Sequence, residues 1–263
     1  MAEFQGEYAL SDTERALVEV RKPIDYVDRY QEFLESTDEK QIIAQAVGHV
    51  LSDGSILDIG AGTGDITDML RLDKDRYTAL EQRPEFVTQL REKGYQVIDR
   101  LFPCFVPKKY DNVLMSYILH SKEQCEVMIN PAWEVVDDGG QLIVVTFRDN
   151  DDDYNQLLHA TGHTRRVTTD SRFNYLQEKF ASLGELTVSH TTSHIYSNSA
   201  EKLAHSLSFV ATNTVVGTPE LRQELFYRMI SDEILLEPYK EENGEYRFPM
   251  EHYVFTTYKS REV

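Results

Sequence analysis

The chain of 263 residues carries 45 Asp and Glu against 27 Lys and Arg, a formal net charge of −18 at pH 7, with 41% hydrophobic and 27% charged residues. That length can bury one large core with room for an accessory lobe, and the apolar content is that of an ordinary globular protein. So acidic a surface repels phosphodiester backbones, which argues against nucleic acid as substrate and leaves a neutral or cationic small molecule as the easier partner. Cys104 and Cys125 are the only cysteines, too few for a disulfide framework, so a reducing, cytoplasmic compartment is expected. The segment Met1 to Glu7 lacks the basic and apolar regions of a signal peptide. No apolar run approaches the length needed to span a bilayer, and no membrane partner is expected.

From the N-terminus, Ser11 to Leu51 reads as helical. Ile24, Val27, Tyr30 and Phe33-Leu34 recur at helical spacing, and Ile42-Ile43, Ala46-Val47 and Val50 form a second apolar stripe. Strands and helices then alternate. Ser55–Ile59 is the first strand, followed by a helix with Ile66, Met69 and Leu70 on one face. Tyr77–Leu80 is the second strand, after which Pro84 opens a helix that Gly94 stops. Tyr95–Ile98 is the third, with Asp99 just past its end, and Asp111–Leu119 is the fourth strand and its exit. Ser121 to Gln124 is a capping box for the next helix. Asp138-Gly139-Gly140 is expected to turn into the fifth strand, Leu142–Phe147, and Asp149–Asp153 to form an acidic loop. Ser171–Leu183 is a helix stopped by Gly184, Leu186–Tyr196 is strand-like, and Ala200–Val210 is helical. Thr218-Pro219-Glu220 caps a further helix, Asn243-Gly244 signals a hairpin turn, and Tyr253–Tyr258 is a last strand. This order predicts an α/β chain with a doubly wound, mostly parallel sheet whose ligands bind at the carboxyl ends of the strands. Asp58 to Gly64, Glu81, Asp99 and Ser116-Tyr117 then converge on one crevice.

In that crevice Asp58-Ile59-Gly60-Ala61-Gly62-Thr63-Gly64 joins a buried strand to a helix N-terminus. Its glycines let the chain turn sharply and let a ligand lie against main-chain N–H groups. One strand later, Tyr77-Thr78-Ala79-Leu80-Glu81 ends in a carboxylate placed to grip a ribose diol. A dinucleotide site has the spacing Gly-x-Gly-x-x-Gly. Here the third glycine comes one residue early, and Asp58 would repel a pyrophosphate but favour an ammonium group. The segment closely resembles motif I of the class I S-adenosylmethionine-dependent methyltransferases. The resemblance implies a seven-stranded Rossmann-like sheet with an N-terminal helical lid and a C-terminal helical insertion, and S-adenosylmethionine as cofactor. It implies a cofactor site of Asp58, Gly60, Ala61, Gly62, Gly64, Glu81, Asp99 and Ser116, with Asp99 at the adenine amino group and Leu101 and Phe102 as apolar walls. Tyr117, offering a π-face to a cation, and His120, a possible proton carrier, are the candidates near the methyl group. A histidine after an apolar run is more often structural, so no base is assigned. Methyl transfer needs no metal, and none is expected. Asn130-Pro131-Ala132-Trp133 resembles the Asn-Pro-Pro-Tyr signature of adenine and glutamine N-methyltransferases, but a helix separates it from the fourth strand, and that reading is rejected.

A second resemblance concerns the acceptor. Asp25 to Gln41, the stretch from Leu207 through Leu225, and the closing strand Phe248–Tyr258 resemble the histamine N-methyltransferases in order and pattern. This implies an amine pocket of Tyr26, Tyr30, Phe33 and Glu39, with Tyr117 and Glu251 from the sheet. Aromatic faces plus one carboxylate suit a protonated amine. The same i, i+4, i+7 spacing also describes an ordinary core-facing stripe, and Ser36 to Glu39 also reads as a helix cap. Ser116 stands where that family has a glutamine, and Met250 or Glu251 where it has an asparagine, so a different amine or a heteroaromatic nitrogen is expected in place of histamine. The expected division is a lid and substrate segment over 1–50, a cofactor-binding half over 51–150, and a half completing the sheet over 151–263. The function read from the sequence is small-molecule N-methylation by direct in-line transfer. An O-methyltransferase and a catalytically silent cofactor-binding scaffold are the alternatives.

Overall fold

The computed structural model describes residues 10–18, 26–148, 153–160, 171–214, 228–229 and 233–261, the first helix, α1, being Asp12–Val18. Thr218-Pro219-Glu220 and most of the acidic loop at 149–153 lie outside them. Seven strands form one sheet: β1 (Ile56–Ile59), β2 (Tyr77–Glu81), β3 (Gln96–Asp99), β4 (Tyr110–Ser116), β5 (Val136–Thr146), β6 (Glu185–Ser197) and β7 (Tyr246–Tyr258). Their order is β3-β2-β1-β4-β5-β7-β6. The first five pair in parallel, and β7 runs antiparallel between β5 and β6. The expected doubly wound, mostly parallel seven-stranded sheet is what the chain forms.

Strand alternation sorts the side chains onto two faces. Leu57, Ile59, Val113, Met115, Leu142, Val144 and Phe255 pack with Met128 and Ile129 of α6 (Lys122–Glu134) and with Phe173, Leu176 and Phe180 of α8 (Ser171–Leu183). The interleaved Leu114, Ile143, Val145 and Val254 pack with Ile43 and Val47 of α3 (Glu39–Val50) and Ile66 of α4 (Asp65–Leu70). Thus α3 is built into the cover of the sheet, Ile43 and Val47 being fully buried, although the sequence placed it in a lid. A third core joins Phe33 of α2 (Tyr26–Glu35), Tyr154 and Leu157 of α7 (Asp153–Ala160), and Leu203, Leu207 and Phe209 of α9 (Ala200–Thr214) to Ile195, Phe248 and Met250 at one end of β6 and β7.

Local signals set the element ends. Pro84 occupies the first turn of α5 (Pro84–Glu92), and Gly94 follows it at φ 83°. Ser121 Oγ accepts from the N–H of Gln124 at 3.2 Å, but the Gln124 side chain accepts from His120 N–H at 2.6 Å, so the reciprocal arm of the box reaches one residue further back. Two strands differ from expectation. β4 ends at Ser116, and the chain then turns out of the sheet through Tyr117 at φ 56°. β5 begins at Val136, because Tyr110 pairs with Val136 and Asn112 with Gln141, so Asp138-Gly139-Gly140 bulges inside the strand instead of turning into it.

Candidate active site

At the carboxyl ends of β1, β2 and β4, a cavity of about 220 Å³ is lined by Asp58, Gly60, Ala61, Gly62, Glu81, Ser116, Tyr117 and His120, together with Tyr30 and Lys40 from α2 and α3. Six of the eight expected cofactor residues therefore meet here. Gly64 does not: it caps α4 at φ 79°, and a Cβ there would meet Leu90 Cδ2 at 2.9 Å. Asp99 does not either. It ends β3 with an exposed carboxylate paired to Arg91 at 3.4 Å, and its neighbours Arg100, Leu101 and Phe102 face the cavity instead.

The loop after β1 shows why glycine is needed. Gly60 adopts φ 75°, and a Cβ would sit 2.4 Å from Ile118 Cγ2. Gly62, at φ 57°, would project a Cβ into open space, as expected of backbone left bare for a ligand. Glu81, buried at the end of β2, accepts from Gly62 N–H at 2.9 Å, Gln82 N–H at 2.8 Å and Arg83 N–H at 2.9 Å. One carboxylate thus ties the glycine loop to the start of α5. Burial holds its pKa above the usual range, against the pull of those three donors.

Asp58 stands in the same wall. It is buried, Tyr77 donates its hydroxyl to Oδ2 at 2.8 Å, and Oδ1 has no partner among the described residues. Burial raises its carboxyl to about 7 despite that hydrogen bond. A buried acceptor without a donor is costly unless a ligand supplies one. Ser116 Oγ is likewise buried and unpartnered in the same wall. These two orphaned atoms, the bare backbone at Gly62 and the carboxylate of Glu81 suit a nucleoside that also carries a cationic group.

Tyr117 is held from behind the cavity by two partners. Its ring stacks on Phe147 at 4.6 Å, and its hydroxyl lies 2.7 Å from His252 Nδ1. His252 Nε2 lies 2.6 Å from Ser193 Oγ. Burial pushes His252 down to about 4 and lifts the Tyr117 phenol well above its ordinary value. Phenol and neutral imidazole therefore both keep these forms at pH 7, with Tyr117 donating to Nδ1 and Nε2–H donating to Ser193. Arg172, buried on α8, donates to Leu119 O at 3.0 Å and to Phe147 O at 2.6 Å, pinning the loops that follow β4 and β5. Among the described residues, no group of three or more His, Cys, Asp or Glu is placed to hold a metal ion.

The expected amine pocket is largely rearranged. Tyr30 and Tyr117 line the cavity, but Phe33 packs on Phe209 at 5.8 Å in the third core. The side chain of Tyr26 lies outside the described residues. Glu251 lies outside the cavity lining, bonded to His190 and to Thr192, because neighbours on β7 alternate in direction and it is His252 that turns to Tyr117. Glu39 is buried but pairs with Lys40 Nζ at 2.8 Å, and Lys40, not Glu39, faces the cavity. Burial presses the Lys40 ammonium towards neutrality, but Glu39 and Tyr30 outweigh it and hold the pKa above the ordinary lysine value. Lys40 was missed although it was findable: it shares the helical stripe of Ile43 and Val47, at i+3 and i+7. Glu39→Gln is expected to strand this cation, lowering stability by about 3–5 kcal/mol. Thermal melting of the variant beside wild type checks this.

No protein-family model matches the chain, and no curated protein matches it. Solved structures do. The YcgJ protein of Bacillus subtilis aligns with a TM-score of 0.52 at 14% identity, over 85% of this chain and 98% of that one. A Thermotoga maritima protein described as an S-adenosylmethionine-dependent methyltransferase and possible histamine N-methyltransferase aligns with a TM-score of 0.50 at 15% identity, over 90% and 95%. The strand order, the reversed β7 and these alignments agree: this chain has the fold of the class I S-adenosylmethionine-dependent methyltransferases.

Proposed function

We propose that this chain is an S-adenosylmethionine-dependent methyltransferase acting on a small molecule. The observation that carries the reading is the meeting in one cavity of Asp58 Oδ1, unpartnered among the described residues, the bare backbone at Gly62 and the buried Glu81 carboxylate. Bound S-adenosylmethionine supplies a sulfonium-activated methyl group open to direct displacement. Asp58 would receive the α-ammonium group and Glu81 the ribose hydroxyls, the latter while holding the glycine loop. Leu101 and Phe102 offer apolar walls to the adenine. Ser116 and Tyr117, at the exit of β4, face the remaining space, where the chain's task is to align the acceptor and exclude water.

The acceptor in this reading is a nitrogen presented with its lone pair free, as a neutral amine or heteroaromatic ring. A cationic amine anchored on Glu39 is not favoured, because Lys40 already neutralises that carboxylate. His120 in the cavity wall keeps O-methylation as the second reading, since a hydroxyl acceptor needs a proton carrier. The free Cys104 and Cys125 support a reducing, cytosolic setting. Incubation with methyl-labelled S-adenosylmethionine and a panel of amines, azoles, phenols and acids tests the function. Label on an azole or amine is expected. Label on phenols alone would replace the first reading with the second, and binding without transfer to any class would favour a silent scaffold.

A further inference from the structure

Lys40 is a buried cation that the methyl-transfer reading leaves without a task. Its side chain is 12% exposed, and an apolar residue of similar volume would fill the same space at less cost in desolvation. Two of its three N–H donors are engaged, one by Glu39 Oε1 at 2.8 Å and one by the Tyr30 hydroxyl. Its ammonium lies 5.6 Å from the centroid of the Tyr30 ring and 5.1 Å from that of Tyr117. The aromatic faces that would attract a ligand's cation are thus already covered by the protein's own, and a second cation there would be repelled. What remains is one ammonium N–H donor in the cavity wall, a charge-assisted partner for an acceptor other than Glu39.

Asp58 lines the same cavity with the opposite character, its Oδ1 unpartnered among the described residues, and it feels the Lys40 charge. A bare carboxylate oxygen and a spare ammonium donor in one cavity match the two charged groups of an α-amino acid. We propose that Lys40 is a carboxylate receptor, working with Asp58 as a pair that recognises a zwitterion. The inference rests on the cofactor reading above. The carboxylate has two available sources, the methionine end of S-adenosylmethionine or an acidic acceptor, and Lys40 would bind either through the same charge-assisted hydrogen bond.

Calorimetric titration separates the sources. The first arm titrates S-adenosylhomocysteine, its decarboxylated counterpart and methylthioadenosine, which lacks both charged groups, into wild type and Lys40→Met. Wild type is expected to prefer S-adenosylhomocysteine over the decarboxylated compound by roughly tenfold or more, and Lys40→Met to lose that preference while binding methylthioadenosine unchanged. The double variant Glu39→Gln/Lys40→Met, which strands no carboxylate, serves if the single variant fails to fold. The second arm titrates benzoate against benzamide into the same proteins saturated with S-adenosylhomocysteine. A Lys40-dependent preference for carboxylate in the first arm assigns the site to the cofactor, and in the second arm to the acceptor. If wild type binds S-adenosylhomocysteine and neither arm shows such a preference, the inference is overturned. If wild type binds none of the adenosyl compounds, the cofactor reading itself fails and this inference falls with it.

Discussion

Glu81→Ala is expected to abolish measurable binding of S-adenosylhomocysteine in calorimetric titration and to lower the melting midpoint of the ligand-free protein. The carboxylate accepts three backbone N–H groups at 2.8–2.9 Å, from Gly62, Gln82 and Arg83. Each is a charge-assisted bond at a buried position, and leaving such a donor unpaired costs about 1–3 kcal/mol. Alanine therefore loosens the glycine loop and the start of α5 together while removing the proposed ribose contact. Affinity should fall by about a hundredfold or more, the product of two such losses. Glu81→Gln keeps the shape and one acceptor oxygen, so it should fold better yet bind weakly. A folded Glu81→Ala protein with wild-type affinity would remove Glu81 from the site.

The second large effect is a reversal between stability and binding at Asp58. Its carboxyl sits at about 7, chiefly because burial disfavours the anion. Between the ordinary carboxylate value and about 7, the folded chain holds a proton that the unfolded chain has released. Ligand-free stability contributed by this group therefore declines as pH rises through that window. Asp58→Asn carries no such proton and can still accept from Tyr77. The variant should melt higher than wild type above about pH 7, with the difference closing as pH falls towards the ordinary carboxylate value. Binding runs the other way. An ammonium ligand selects the carboxylate, so wild-type affinity for S-adenosylhomocysteine should climb about tenfold per unit below about pH 7 and level off above it. For Asp58→Asn it should be weak and flat. A wild-type affinity independent of pH across this range would rule out the ammonium contact.

What the sequence made legible follows periodicity and spacing. The alternation of strands and helices, with glycines and acids at their junctions, led to the sheet and to a crevice holding Asp58, Gly60, Ala61, Gly62, Glu81 and Ser116. These residues sit beside strand ends, where a run of apolar side chains fixes position to within a residue. Asp99 illustrates the limit: β3 extends through it, and the residues after it turn into the cavity. The acceptor side was less legible because it depends on helix phase. Glu39 and Lys40 are adjacent in sequence but about 100° apart around α3, the angle per residue of an α-helix. The inward residue of the two decides whether the cavity offers an anion or a cation. The same sensitivity on a strand exchanged Glu251 for His252. Arg172 gave no local signal, since its role lies in reaching two loop carbonyls far away in the chain.

The placement of β7 has a consequence for how the chain assembles. It lies between β5 and β6 although it follows both in sequence, so the sheet cannot be filled in the order in which it is synthesised. Until residues 246–258 are made, the hydrogen-bonding edge of β5 stays open from Gln141 to Thr146, with Leu142, Ile143, Val144 and Val145 along it. An open apolar strand edge is a template for pairing with another chain. Contacts this distant in sequence also form late, because a long loop must close before they are made. A nascent chain or fragment ending before Tyr246 therefore leaves this adhesive edge uncovered. His252, which anchors Tyr117 in the cavity wall, arrives only with β7, so that wall is completed after the strands that precede β7 in the chain.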